Sequence, residues 1–316
     1  MFMNTNISNY FKPSKYINFL QAYPRLQNLL KIKNKYIRLL MINFYKYFVK
    51  KNNNLRFYFF GKSKKDLSII FDKKDLIHSN DKVFNSLASN GIVIITNVLQ
   101  QEERNKILNY FNEIQYKKFT TDWINKEIID ASSIKYKNKK KVEILSMHKD
   151  TKFLPEISEI NNLFTEKIFG RSMKTVAEFF LHNCINNEEE DAYEDTNFHI
   201  DRYLPCLKII YSPNTIDEND APFGFIKKTH KLDDNFMNKF LLNTEKFFIN
   251  NNELNEDLKK NIVSTICPEN SLIITFTNGL HKRNIFKKND NMRKTIFFQF
   301  TKNFNTFSLI NYKKFN

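Results

Sequence analysis

Glycine is scarce in this chain, with 5 in 316 residues. Turns that need a left-handed backbone must therefore use other residues. Asparagine tolerates that conformation, and Asn214 and the run Asn250, Asn251 and Asn252 are expected to supply it. Cysteine is nearly as rare: Cys184, Cys206 and Cys267 are odd in number and widely spaced. They form no Cys-x-x-Cys pair and exclude a disulfide framework, which fits a reducing compartment. The single tryptophan, Trp123, is read as a packing residue. No apolar run approaches the roughly 20 residues of a membrane-spanning helix. Residues 1–6 also lack the charged-then-apolar layout of a signal peptide. A cytoplasmic location is the expectation.

Positive charge, by contrast, is abundant: 50 Lys and Arg against 34 Asp and Glu give a net +16. Such a balance invites a nucleic-acid reading, because cationic clusters neutralise phosphates. The basicity is spread through a chain rich in Lys, Asn, Ile and Phe, without zinc-finger spacing or an RNA-binding aromatic motif. Nucleic acid is not expected as a partner. Hydrophobic content of 41% is enough for a sizeable core, so global disorder is excluded.

The first eighty residues read as a basic, mainly helical extension, with a second domain over 81–316. Ile37, Leu40, Met41, Phe44, Tyr45 and Phe48 share one helical face. Lys33, Arg38, Lys46, Lys50 and Lys51 make the same segment basic. Two readings are open: a helix packed on the core, or peripheral contact of residues 26–51 with an anionic membrane surface. Residues 55–60 have the pattern of a strand.

Downstream, helices are expected at 100–113 and 155–169. Strands are expected at 174–183, 197–202, 206–211, 222–226, 271–276 and 293–300. Many strands joined by long connections fit two facing sheets, an α+β jelly roll with flanking helices. Residues 233–248 read as a helix-bearing insertion. The acidic run from Glu188 to Asp195 reads as a solvated loop or a mobile lid.

Chemistry concentrates in two short stretches. In an extended strand, residues i and i+2 face the same way, so His199 and Asp201 can offer an imidazole and a carboxylate to one ion. A second histidine, His281, follows the apolar run 271–276 after a turn at Asn278 and Gly279. Two histidines and one carboxylate on one side of a metal leave positions open for substrates, the non-haem Fe(II) oxygenase pattern. Arg293 opens the next strand, and a planar guanidinium suits an anchored dicarboxylate. The plainer alternatives are a hydrogen-bonded structural pair at His199 and Asp201, and a surface-strand arginine at 293. Lys208 either faces the same pocket or is solvated. His230 reads as structural or substrate-facing, and His78, His148 and His182 as non-catalytic.

These stretches, in this order, resemble the phytanoyl-CoA dioxygenase-like branch of the Fe(II)/2-oxoglutarate-dependent oxygenases over roughly residues 82–300. Residues 84–99 are similar to that family's opening helix, glycine turn and first strand. Residues 221–231 are similar to its proline/glycine strand and Gly-Ser-His-Lys motif, with Lys228 and Thr229 in place of the glycine and serine. The resemblance implies a double-stranded β-helix, cupin-like core. It implies Fe(II) on His199, Asp201 and His281, and 2-oxoglutarate anchored by Arg293. The implied reaction consumes O2 and hydroxylates a small-molecule or lipid-like substrate, releasing succinate and CO2. A catalytically inactive jelly-roll binding protein is the alternative.

Overall fold

The computed structural model describes residues 67–114, 119–121, 128–130, 142–148, 154–175, 177–183, 196–201, 206–230, 248–249, 254–285, 287 and 292–301. The basic segment 26–51, the strand expected at 55–60, Trp123, the acidic run 188–195 and nearly all of the 233–248 insertion lie outside them.

The described chain is a mixed α+β fold. Its helices are α1 (Lys73–His78), α2 (Asn80–Asn90), α3 (Gln101–Ile114), α4 (Pro155–Phe169) and α5 (Glu256–Lys259). Its first seven strands are β1 (Ile70–Asp72), β2 (Ile92–Thr96), β3 (Phe119–Thr121), β4 (Ile128–Asp130), β5 (Val142–His148), β6 (Ala177–Asn183) and β7 (Phe198–His199). The other seven are β8 (Cys206–Ser212), β9 (Phe223–Ile226), β10 (Phe248–Ile249), β11 (Ile262–Ser264), β12 (Ser271–Phe276), β13 (His281–Arg283) and β14 (Met292–Thr301).

Local chemistry explains the helix limits. Asp72 and Asp75 cap α1 reciprocally, each carboxylate accepting from a main-chain N–H at the other end of the first turn. Proline opens α4, where its missing N–H costs nothing, and Gly170 closes it in the left-handed region at φ 77°. Gly91 closes α2 in the same way at φ 84° and sends the chain straight into β2.

The strands form a seven-stranded sheet in the order β1-β2-β12-β8-β14-β6-β5 and a five-stranded sheet in the order β10-β7-β13-β9-β11; β3 and β4 pair separately. Strands β6, β7, β8 and β9 alternate between the two large sheets, and so do β11, β12, β13 and β14. Among the described residues no ladder joins the two sheets into a closed barrel. Strand β1 runs parallel to β2, placing residues 70–72 at the edge of the larger sheet.

The larger sheet is covered on both faces. Val93, Ile95, Leu207, Ile209, Tyr211, Leu272, Ile274, Phe276, Ile296 and Phe298 pack with α2, α3 and α4 in one core. The alternate residues Ile92, Ile94, Ile210, Ile273 and Phe297 meet Phe223, Phe225 and Val263 of the smaller sheet in a second. Double coverage is why β2 and β12 read as continuous apolar runs rather than alternating ones.

Several expectations need correction. The strand expected over 197–202 is only two residues long, and β1, β5, β10, β11, β13 and α1 were not anticipated. Asn214 does not take the left-handed role; Asn97 (φ 56°) and Asn270 (φ 61°) do, together with Ala221 and Lys228.

Candidate metal centre

The two histidines meet because their strands do. Strand β13 lies antiparallel between β7 and β9, with His281 directly opposite His199 on one side and Phe225 on the other. Directly paired residues project from the same face, and the two imidazole centroids are 4.4 Å apart. Asp201 lies just beyond the end of β7. Its N–H donates to the Thr277 carbonyl at 2.9 Å, which ties it to the turn leading into His281.

The donor atoms converge. Asp201 Oδ1 lies 3.3 Å from His281 Nε2 and 3.9 Å from His199 Nε2. One ligand atom from each of the three residues falls within 4.8 Å of the others. Neighbouring donors on an ion with bonds of about 2.1 Å are about 3 Å apart, so small adjustments would seat a divalent metal. Nδ1 of His199 donates to the Asn197 carbonyl at 2.8 Å, and Nδ1 of His281 to the Gly279 carbonyl at 2.9 Å. Each bond fixes the tautomer that leaves the Nε2 lone pair facing inward. The donor set is thus two neutral imidazoles and one carboxylate, which fits a ferrous ion with open positions.

Electrostatics favour a neutral His199 beside an ionised Asp201. Burial, followed by the neighbouring His281 ring, lowers the His199 pKa to about 4 against the pull of Asp201. Burial works to raise the Asp201 pKa, but the Lys208 ammonium and then His281 hold it well below the ordinary carboxylate range. Burial works to lower the Lys208 pKa, and Asp201 outweighs it, so the ammonium titrates above its usual range.

The His199 shift has a testable sign. The unfolded chain takes up a proton near 6.5, whereas the folded site resists protonation down to about 4. The metal-free protein is therefore expected to lose about 3 kcal/mol of stability as pH falls through that window, and to show no such loss above it. The contribution of Asp201 is lost only at lower pH, because its folded pKa is depressed. Thermal melts at pH 7.5 and 5, repeated with His199→Gln, check this; the variant should show a much flatter profile.

Lys208 is mostly buried rather than on a solvent face. It shares the inner face of β8 with Ile210, and its Nζ lies 2.9 Å from Asp201 Oδ2 and 5.8 Å from the centre of the Phe297 ring. Arg293 also faces the space between the sheets, being on the same side of β14 as Phe297, and is buried. Its Nη1 donates to the carbonyl of Ala221, two residues before Phe223, whose ring stacks on His281 at 5.3 Å. The structure thus brings the three candidate ligands together and places Arg293 further along the same interior. Sequence reasoning missed Thr295, whose buried hydroxyl has no hydrogen-bond partner among the described residues. Its signal was the spacing of two from Arg293, which puts both on one face of the strand.

His230 is a packing residue. Its ring lies parallel to Phe276 at 5.4 Å, and its Nε2 is 3.1 Å from the Ala88 carbonyl. The turn before it survives without glycine, because Lys228 itself adopts φ 71°. Thr229 Oγ1 donates to the Ile226 carbonyl and accepts from the Leu280 N–H, joining this turn to the approach to His281.

No family model matches the chain, and no curated protein sequence does. Solved structures are similar at low identity. The epimerase SnoN in complex with Fe3+, alpha ketoglutarate and nogalamycin RO is 11% identical, over 68% of this chain and 80% of that chain, with a TM-score of 0.45. HygX from Streptomyces hygroscopicus, with nickel and 2-oxoglutarate bound, is 10% identical over 69% of this chain and 85% of that one, with a TM-score of 0.42. A prolyl hydroxylase from Trichoplax adhaerens is 12% identical over 69% and 86%, with a TM-score of 0.37. Within its own α+β fold, this chain carries a cluster of two histidines and one carboxylate that could hold a metal ion.

Proposed function

We propose that the protein is a non-haem Fe(II)/2-oxoglutarate-dependent dioxygenase of the phytanoyl-CoA dioxygenase-like type. In this reading it hydroxylates a small-molecule or lipid-like substrate. The observation that carries the proposal is the convergence of His199, Asp201 and His281, with both imidazoles tied back by Nδ1 so that Nε2 faces inward. The alternation of strands between two sheets supports a double-stranded β-helix core. The oxygenase domain is taken as 81–316, with the 1–80 extension lending β1 to its edge.

Each residue then has a task. His199, Asp201 and His281 would hold the iron and would leave coordination positions open for co-substrates. Arg293 and Thr295 present a guanidinium and a hydroxyl from one face of β14, suited to the distal carboxylate of 2-oxoglutarate. Phe223 and Phe297 line the interior between the sheets and keep it apolar and dry. When bound, iron and 2-oxoglutarate supply the oxidising chemistry with O2, and the keto acid leaves as succinate and CO2. One observation favours a second reading, a catalytically inactive binding protein: the Lys208 ammonium already neutralises the Asp201 carboxylate.

An anaerobic titration with Fe(II) and then 2-oxoglutarate tests the proposal through the visible charge-transfer band of the chelate. The wild type should develop the band. Arg293→Ala should need about tenfold to a hundredfold more 2-oxoglutarate, the loss of a charged hydrogen-bonded anchor. No band in folded, iron-loaded protein would overturn the oxygenase reading and promote the binding protein.

A further inference from the structure

Asp201 divides its two oxygens. Oδ1 faces the imidazole Nε2 atoms, while Oδ2 accepts from Lys208 Nζ at 2.9 Å. The ammonium is held there by the strand beneath it and by the Phe297 ring, and its side chain is only 15% exposed. We infer that Lys208 is a positioning residue that makes binding of the divalent metal and of a dianionic co-ligand mutually dependent. The inference rests on the metal reading proposed above.

With Oδ2 occupied, Asp201 has a single oxygen to give, so it serves as a one-atom ligand in a fixed rotamer. A lone carboxylate would cut a divalent ion's charge to +1. Here Asp201 and Lys208 cancel each other and the imidazoles are neutral, so the ion brings its full +2 into a largely buried site. Repulsion from the ammonium weakens binding of the metal by itself. A chelating dianion brings one carboxylate to the open positions and gives the other to Arg293, so it offsets part of that excess charge, and each ligand raises the affinity of the other by the same factor. A 2-oxo dicarboxylate has the required charge and two chelating oxygens. A neutral chelator would leave the ion's charge in full, and a monoanion would lack the second charge that Arg293 takes.

Mn(II) titrations, followed by the loss of its free-ion paramagnetic resonance signal, test this without turnover. They are run with and without 2-oxoglutarate on the wild type, Lys208→Gln, Lys208→Met and Lys208→Arg. Glutamine keeps a donor for Oδ2 and removes the charge, so it separates the two roles and guards against a methionine variant that fails to fold. In the wild type, 2-oxoglutarate should tighten Mn(II) by about tenfold or more, the usual size of such couplings. Lys208→Gln should bind Mn(II) alone about tenfold tighter than the wild type and show a smaller gain from 2-oxoglutarate. Lys208→Arg should behave as the wild type. The inference is overturned if folded Lys208→Gln binds Mn(II) no tighter than the wild type or keeps the full gain. A folded wild type that binds neither Mn(II) nor 2-oxoglutarate would instead defeat the proposed function.

Discussion

Asp201→Ala will bind no divalent metal and will unfold well before the wild type. The first effect follows from removing one of the three donors that converge among the described residues. The second follows from Lys208, whose ammonium would remain in the interior with its partner gone. Removing one member of a buried ion pair costs about 3–5 kcal/mol, because the survivor is left uncompensated. The Asp201 and Lys208 side chains are 23% and 15% exposed, so water relieves part of that cost and the lower figure applies. Adding Lys208→Met should recover most of the stability while leaving metal binding absent. A cycle of thermal melts across the wild type, both single variants and the double variant measures the coupling. An Asp201→Ala protein that melts with the wild type would mean that the pair is solvated and holds nothing in place.

Gly279→Ala will damage both fold and metal site although Gly279 is not a ligand. A methyl group there would lie 2.7 Å from Phe225 Cζ and 3.0 Å from the main-chain nitrogen of His230. Neither neighbour gives way easily, because the Phe225 ring is also wedged against Gly91, where an added Cβ would lie 2.8 Å away. Overpacking of this kind costs about 1–3 kcal/mol. The carbonyl of Gly279 also receives the Nδ1 proton of His281, so moving this turn rotates a ligand. Loss of such an orienting contact typically lowers metal affinity about tenfold to a hundredfold. Gly170→Ala is the control: it strains a positive φ, which Gly279 does not have, but adds its methyl group in open space at the end of α4. It should lower the melting temperature modestly and leave metal affinity unchanged.

Much of this was legible in the sequence because it rests on short-range pattern. Residues 155–169 and 271–276 announce themselves through proline, glycine and apolar runs, and the structure has α4 and β12 over the same residues. The His-x-Asp spacing brought His199 and Asp201 to one side, although the ladder ends at His199 and Asp201 is held by Thr277 instead. The three-residue strands β1, β11 and β13 were invisible, being too short to show a period. In β11 the central residue is only partly buried and its neighbours are exposed, so no apolar run marks it. Lys208 was ambiguous for a deeper reason. A polar residue amid buried ones usually marks a solvent face, but here both faces of the sheet are covered and one covered face holds the ion pair. Only tertiary structure distinguishes those cases. Thr295 was overlooked because threonine is an ordinary strand residue, and its value depends on sharing a face with Arg293.

The imidazoles of His199 and His281 are each aimed by a carbonyl two residues back in their own chain. Main-chain oxygens belong to every amino acid, so no substitution elsewhere can delete these aiming partners. The mutational target for losing the centre is correspondingly small and sharply bounded. A saturation library should lose metal at the ligands and at positions that bend the local backbone, while the residue at position 197 tolerates wide exchange. Natural drift could therefore rework the surrounding pocket, and with it the choice of substrate, without disturbing the aim of either histidine.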